Sequence, residues 1–267
     1  RRVLFRSSTM DISCCVWALS TPEENALQHL ADLGFAHIDV QALTYTTPSI
    51  QAQIDALGMR MRCVGLSFNM EEGAALDSAD ATARRRAVEH VERGLDQAAS
   101  RHIDTAYVVP GDEDDLLGYF SESLIAIADM AAARQIALGV EHFPGKALPT
   151  AAGTLAYLED LAHDNLYLLL DSGHLQISGE DPAAVIAQAG SRLGYAHLDD
   201  NDGRSDLHWA LCDGVLTRTA LRDLLVALDG SAYAGPVSLE LHPTLPDPVA
   251  ALRESVAIVR DILGETQ

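Results

Sequence analysis

Four stretches of this 267-residue sequence crowd together residue types that bind cations or move protons. They are Gly139-Val140-Glu141-His142, Leu169-Leu170-Asp171-Ser172-Gly173-His174, Ala196-His197-Leu198-Asp199-Asp200 and Leu239-Glu240-Leu241-His242. Each polar cluster closes a short apolar run of the kind that forms a strand. Three carboxylates and one imidazole from neighbouring strand ends make an oxygen-rich set suited to manganese, magnesium or cobalt, with zinc as an alternative. Burying so many carboxylates unpaired is very costly, and a divalent cation removes that cost. Side chains alternate along a strand, so Glu141 shares its side with Gly139 and Ala137, and Glu240 with Ser238 and His242. Small residues beneath the acidic ones are expected to leave room for a pocket.

Positioning such a set is the work of an alternating strand–helix pattern that repeats eight times. Strands are expected over Asp11–Trp17, Ala36–Val40, Arg60–Leu66, Thr105–Val109, Ala137–His142, Leu166–Asp171, Tyr195–Asp199 and Val237–Leu241, each followed by a segment of helical period. The stripes Val88, Val91, Leu95, Ala98 and Phe120, Leu124, Ile127, Ala131 repeat at helical spacing and read as core faces. Ser20-Thr21-Pro22-Glu23-Glu24 and Asp181-Pro182 carry helix-start signals. Eight such units predict an α/β fold, a single (β/α)8 TIM barrel over residues 10–267, in which catalytic residues sit at the C-terminal strand ends. No G-x-G-x-x-G follows the first strand and no Walker loop is found, so dinucleotide and nucleotide sites lack their main support. Residues 1–9 are expected to be a non-native leader, because Leu4 to Ser7 back-translates readily into a run common in sequencing adapters.

Composition narrows the partners. Eighteen basic against 39 acidic residues give a net charge of −21, which repels nucleic acid and anionic membranes. The only lysine, Lys146, lies in the turn Phe143-Pro144-Gly145-Lys146 and not in a desolvated position, against Schiff-base chemistry. Cys14, Cys15, Cys63 and Cys212 show no C-x-x-C spacing, which points to a reducing, cytoplasmic setting without disulfides or structural zinc. The apolar runs are far short of the roughly 20 residues that cross a bilayer.

In the order Val140-Glu141, Asp171-Ser172-Gly173-His174, His197-Leu198-Asp199-Asp200, Asp206-Leu207-His208 and Leu239-Glu240, the chain resembles the xylose-isomerase-like TIM-barrel superfamily, specifically its sugar isomerase/epimerase branch, from Met10 to Leu263. That resemblance implies Glu141, Asp171, His197 and Glu240 as ligands of one divalent metal ion, manganese first. It implies His174, Asp206, His208 and Arg204 as substrate contacts and an oligomer of identical chains. Two histidines that complete the trinuclear zinc site of the related apurinic endonucleases have no counterpart in Gly65-Leu66-Ser67-Phe68-Asn69 or Val108-Val109-Pro110-Gly111. Ketose 3-epimerases carry a further glutamate after the fifth strand, where this chain reads His142-Phe143-Pro144-Gly145-Lys146-Ala147, and Arg204 is only an approximate match to their arginine after the seventh.

The implied chemistry is proton transfer at a carbon next to a carbonyl of an unphosphorylated sugar or keto-polyol, with Glu141 and Glu240 as base and conjugate acid. A lyase that continues to β-elimination, as in inosose dehydratases or C-glycoside-cleaving enzymes, shares the same first step, with His174 or His208 protonating the leaving group. An endonuclease and a catalytically silent binding protein are the remaining readings. Trp17 and Trp209 are candidate pocket walls, because sugars pack their C–H faces on aromatic rings. His142 alternates away from Glu141 and is expected behind the site, and His242 shares parity with Glu240 but precedes Pro243 in a loop, which leaves an inward and a solvent-facing role equally open. His29, His37, His90, His102 and His163 have no assigned role, and Arg84-Arg85-Arg86 reads as a solvated or intersubunit face.

Overall fold

The computed structural model describes residues 10–265, so the expected leader at residues 1–9 lies outside the described residues. Eight parallel strands, β1 (Ile12–Cys15), β2 (His37–Gln41), β3 (Arg60–Gly65), β4 (Thr105–Val108), β5 (Ala137–Glu141), β6 (Leu166–Asp171), β7 (Leu193–Leu198) and β8 (Val237–Leu239), pair in sequence order. β1 also pairs with β8 through Ile12↔Val237 and Cys14↔Leu239, which closes the barrel. The (β/α)8 barrel expected from the alternation is therefore the observed fold.

Helices α1 (Glu23–Asp32), α2 (Pro48–Ala56), α3 (Ala81–Ser100), α4 (Leu117–Ala133), α5 (Ala151–Leu161), α6 (Ser172–Ser178), α7 (Pro182–Ala189), α8 (Arg218–Asp229) and α9 (Pro248–Glu265) surround the strands. Asp181 caps α7 by accepting from the Ala183 amide, as its sequence signal implied. At α1 the expected Ser or Thr cap is not used: Pro22 holds the cap position, and Glu23 accepts from the Tyr45 amide across the β2–α2 loop. The α3 stripe is buried at Val91, Leu95 and Ala98, and joins Ala87 and His90 on the same face. One helical stretch, Asp114–Ala133, is after all long and apolar enough to cross a membrane by length and composition. Alanines between its polar positions raise the mean hydropathy, and its Phe120, Leu124, Ile127 and Ala131 face packs into the helix–strand layer.

The barrel interior is a separate small core of Cys63, Tyr107, Leu169 and Tyr195. Asp39 lies beside it, fully buried, and accepts from Ser13 Oγ and from Tyr195 Oη, each at 2.7 Å. The space expected beneath the acidic residues is thus occupied, because tyrosines from adjacent strands fill what the small residues leave. A Cβ on Gly139 would stand 3.3 Å from Tyr107 Cβ. Tyr107 and Tyr195 form a solid floor edge-on to His197, with ring centroids 5.3 and 5.7 Å away, and the cavity opens above that floor.

Candidate metal centre and active-site cavity

The last residues of β5 and β6, a residue of β7 and the residue after β8 bring Glu141, Asp171, His197 and Glu240 together. One ligand atom from each lies within 4.8 Å of the other three, and all four residues are buried. Asp171 shows how the chain builds this. It ends β6 and caps α6, its Oδ1 accepting from the His174 amide at 2.8 Å, so the strand-to-helix turn fixes the carboxylate and leaves Oδ2 without a partner.

His197 Nδ1 stands 2.7 Å from Glu240 Oε2 and 3.7 Å from Glu141 Oε1, yet both His197 Nδ1 and Glu240 Oε2 lack an aligned hydrogen bond. Converging, buried and unpartnered donor atoms of this kind fit a divalent cation, and the three-carboxylate, one-imidazole set fits a hard or borderline ion. Trp17 Nε1 donates to Glu240 Oε1 at 2.9 Å, committing the other oxygen. Burial pushes the Glu141 carboxyl up, with the His197 hydrogen bond opposing it. Burial also favours neutral Glu240, but the His197 charge overrides this and holds Glu240 down at about 2. Two neighbouring carboxyls therefore have opposite proton affinities.

A second group lies against the first. His174 Nε2 is 3.4 Å from Asp206 Oδ1, and His208 Nε2 is 3.0 Å from the same oxygen. His174 is fully buried, and although burial disfavours its charge, Asp171, Asp206 and Glu141 push it up to about 10. Asp206 and His208 arrive on the long β7–α8 loop, pinned by the Asp200–Trp209 backbone pair and by Asp200 oxygens that accept from the amides of Gly214 and Leu216. Trp209 is thus a loop anchor, whereas Trp17 does line the cavity. Arg204 is not brought in: its side chain is exposed and its amide donates to Asp202 in a tight turn.

Asp199 had no assigned role in the sequence. Asp199 is fully buried and accepts from the Gly173 amide at 2.7 Å, and His208 Nδ1 lies 3.0 Å from its Oδ2. Burial and Asp171 raise Asp199 to about 7. A Cβ on Gly173 would fall 2.4 Å from Asp199 Oδ1, so glycine is required there. His142 lies behind the site as expected, where its Nε2 accepts from the Asp171 amide at 3.2 Å and burial pushes it down to about 3. His90, which had no assigned role, donates Nε2–H to the Phe68 carbonyl at 2.8 Å and so anchors the loop after β3.

A cavity of about 690 Å3 rises from Glu141, Glu240, Asp206 and His208 toward Trp17, Phe68, Met70, Leu76, Val109 and Phe143. His242 lies at its exposed rim.

Comparison with known proteins follows the same lines. The profile of the xylose isomerase-like TIM barrel family matches residues 27–262. An L-ribulose 3-epimerase of Mesorhizobium japonicum is 26% identical over 243 residues, covering 84% of this chain and 78% of that protein. An inosose dehydratase of Clostridium perfringens is 35% identical over 99 residues, 37% of this chain and 32% of that one. A solved L-ribulose 3-epimerase superposes with a TM-score of 0.78 at 21% identity, covering 96% of this chain and 95% of the other. The 3-keto-D-glucoside 4-epimerase of E. coli does so with a TM-score of 0.80 at 18% identity, over 94% and 99%.

Proposed function

This chain belongs to the xylose isomerase-like TIM barrel family, and on that footing we propose that it is a divalent-metal-dependent sugar isomerase or epimerase acting next to a carbonyl. The observation that carries the reading is the buried quartet of Glu141, Asp171, His197 and Glu240 at the barrel mouth, with oxygen and nitrogen atoms unpartnered and aimed at one point. The names of the relatives, L-ribulose 3-epimerase and D-psicose 3-epimerase, support a sugar as substrate.

A bound divalent cation, manganese by preference, would supply Lewis acidity toward the sugar carbonyl and neutralise the carboxylates. Glu141 and Glu240 do the proton work. One takes the proton beside the carbonyl while the other returns it, and opposite faces of the carbon would give epimerisation. His174 and His208 face the same space with Asp206 between them and orient substrate hydroxyls. The buried Tyr107 and Tyr195 close the site from within the barrel, so the two glutamates exchange protons with solvent only through the cavity that they line. The surrounding carboxylates and the net charge of −21 favour an unphosphorylated substrate.

A second reading, elimination instead of reprotonation, has one supporting feature. His208 lines the cavity between Asp199 and Asp206, and so is placed to give a proton to a leaving group there. The test is metal analysis of the purified protein together with solvent-deuterium incorporation into free ketoses and keto-polyols. About one divalent ion per chain, lost with Asp171→Asn, and deuterium at the carbon beside the carbonyl are expected. Loss of water or of a substituent by mass selects the lyase, and no exchange with metal bound overturns both.

A further inference from the structure

We propose that Cys15 is a positioning residue for the metal centre: its sulfur accepts a hydrogen bond from His197 Nε2–H inside the barrel, and Asp39 fixes the thiol so that His197 presents Nδ1 to the cation. This rests on the reading of the carboxylate–histidine quartet as a metal site and adds the support beneath one of its ligands.

The strand register brings the residues together. Paired residues of parallel strands turn their side chains to the same side of the sheet. His197 of β7 pairs with Ser238 of β8, and Ser238 with Ser13 of β1. Cys15, two residues on from Ser13 and so on the same side, pairs with Asp39 of β2. All five residues are fully buried and meet inside the barrel. Cys15 Sγ lies 4.0 Å from His197 Nε2, 3.6 Å from Ser238 Oγ and 3.9 Å from Asp39 Oδ2.

The placement of protons follows from which groups can donate. Asp39 Oδ1 accepts from Ser13 Oγ and Tyr195 Oη, and Oδ2 accepts the Cys15 S–H, so the one thiol proton is committed to the carboxylate. Lone pairs of the sulfur remain for His197, and Nε2 must donate to them. A metal-bound imidazole is neutral and carries one ring proton. With that proton on Nε2, Nδ1 keeps its lone pair, on the side where Glu240 Oε2 lies at 2.7 Å and Glu141 Oε1 at 3.7 Å.

A ligating histidine commonly donates its other nitrogen to a carboxylate, a carbonyl or water, which fixes the ring. Among the described residues the partner of His197 Nε2 is a thiol instead. Three carboxylates already converge on this point, and a fourth in direct contact with the ring would add to their repulsion. Asp39 acts at one remove, with the neutral thiol between its charge and the imidazole. Cys15, His197 and Glu240 also come within 4.8 Å of one another, but the sulfur meets the ring at Nε2 and the glutamates meet it at Nδ1. An ion held by the quartet is therefore on the other side of the ring from the sulfur.

The test follows the metal rather than turnover. In the zinc-loaded, full-length protein with 15N-labelled histidine rings, His197 is expected to carry zinc on Nδ1 and a slowly exchanging proton on Nε2. Zinc on Nε2, or no proton there, overturns the inference. So does a thiolate-to-cobalt absorption band in the cobalt-loaded protein, which would make Cys15 a ligand. Manganese titration of the metal-stripped wild type, Cys15→Ala and Cys63→Ala measures the hold. Cys63 packs on Tyr107 and Tyr195 in the same interior, so its loss removes a sulfur without removing the bond to His197. Cys15→Ala is expected to weaken manganese binding about 10- to 100-fold and Cys63→Ala less than about threefold, with melting curves showing that both fold. Should Cys15→Ala not fold, Cys15→Val fills the space without an acceptor and is expected to show the same loss. Equal losses in the Cys15 and Cys63 variants, or none in either, overturn the inference and leave the metal reading intact. A wild type that binds none of the three ions removes the metal reading, and the inference with it.

Discussion

Strands β5 to β8 deliver Glu141, Asp171, His197 and Glu240 to the barrel mouth, whereas β1 to β4 lead into Trp17, Gln41, Phe68 and Val109. Both halves are parallel strands of one barrel, and what separates them among the described residues is whether buried carboxylate oxygens are satisfied. Asp39 on β2 is as buried as Asp171 on β6, yet one oxygen of Asp39 accepts from both Ser13 and Tyr195 while Oδ2 of Asp171 has no partner. An unsatisfied buried carboxylate oxygen is costly in an isolated protein. The half of the barrel that bears this cost is the half suited to chemistry, and the satisfied half is suited to selecting a substrate by shape.

The strongest way to break this division is to remove a proton-handling group. Glu240→Gln keeps the shape and is expected to slow solvent-deuterium exchange into substrate by roughly 10^2 to 10^4. If Val109→Thr on the other half slows exchange equally, the division of labour fails. Next in size is Asp199→Asn, which weakens the hold on the Gly173 amide and on His208. Support of this kind around a metal site is typically worth about 10- to 100-fold in metal affinity, and titration of the metal-stripped protein with manganese reads it directly. An unchanged affinity would place Asp199 in loop folding alone.

Trp17 is one place where the halves touch at the barrel mouth, since a residue following β1 donates to Glu240 beyond β8. A hydrogen bond to a charged group is worth about 1.5–3 kcal/mol, so Trp17→Phe is expected to lower kcat/KM about tenfold by leaving one Glu240 oxygen unheld. An effect confined to KM would assign Trp17 to substrate packing only.

The legibility of the sequence follows the same division. The ends of β5 to β8 were readable because Glu, Asp and His are rare at buried strand ends and their order is informative. The barrel was readable for a similar reason, as alternation of strand and helix periods leaves few architectures. Phe68, Met70 and Val109 gave no such signal, because an apolar residue facing a cavity looks like one facing the core until the loops are placed. Arg204 differs in the opposite way. The family resemblance implied a contact, but its side chain is exposed and does not line the cavity, on a turn in which Asp202 accepts from its amide. His90 was passed over because its function is to hold a backbone carbonyl, which residue type alone does not reveal.

Lys146 gives the smallest and most discriminating expectation. The chain's only lysine lines the cavity, so a carbinolamine or Schiff base formed there would move the chemistry into the apolar region and dissolve the contrast between the halves. Its surroundings argue otherwise. The ammonium pairs with Asp112 and lies 5.7 Å from the Phe143 ring centroid, so it is already engaged by the cavity wall. An ion pair with this much solvent access contributes about 0–1 kcal/mol, so Lys146→Met should shift the melting temperature little and change kcat by less than about threefold. Borohydride added during turnover should leave the protein active and its mass unchanged. A reduced adduct on Lys146, or a loss of rate comparable to that of Glu240→Gln, would transfer the reacting centre from the carboxylates to the lysine.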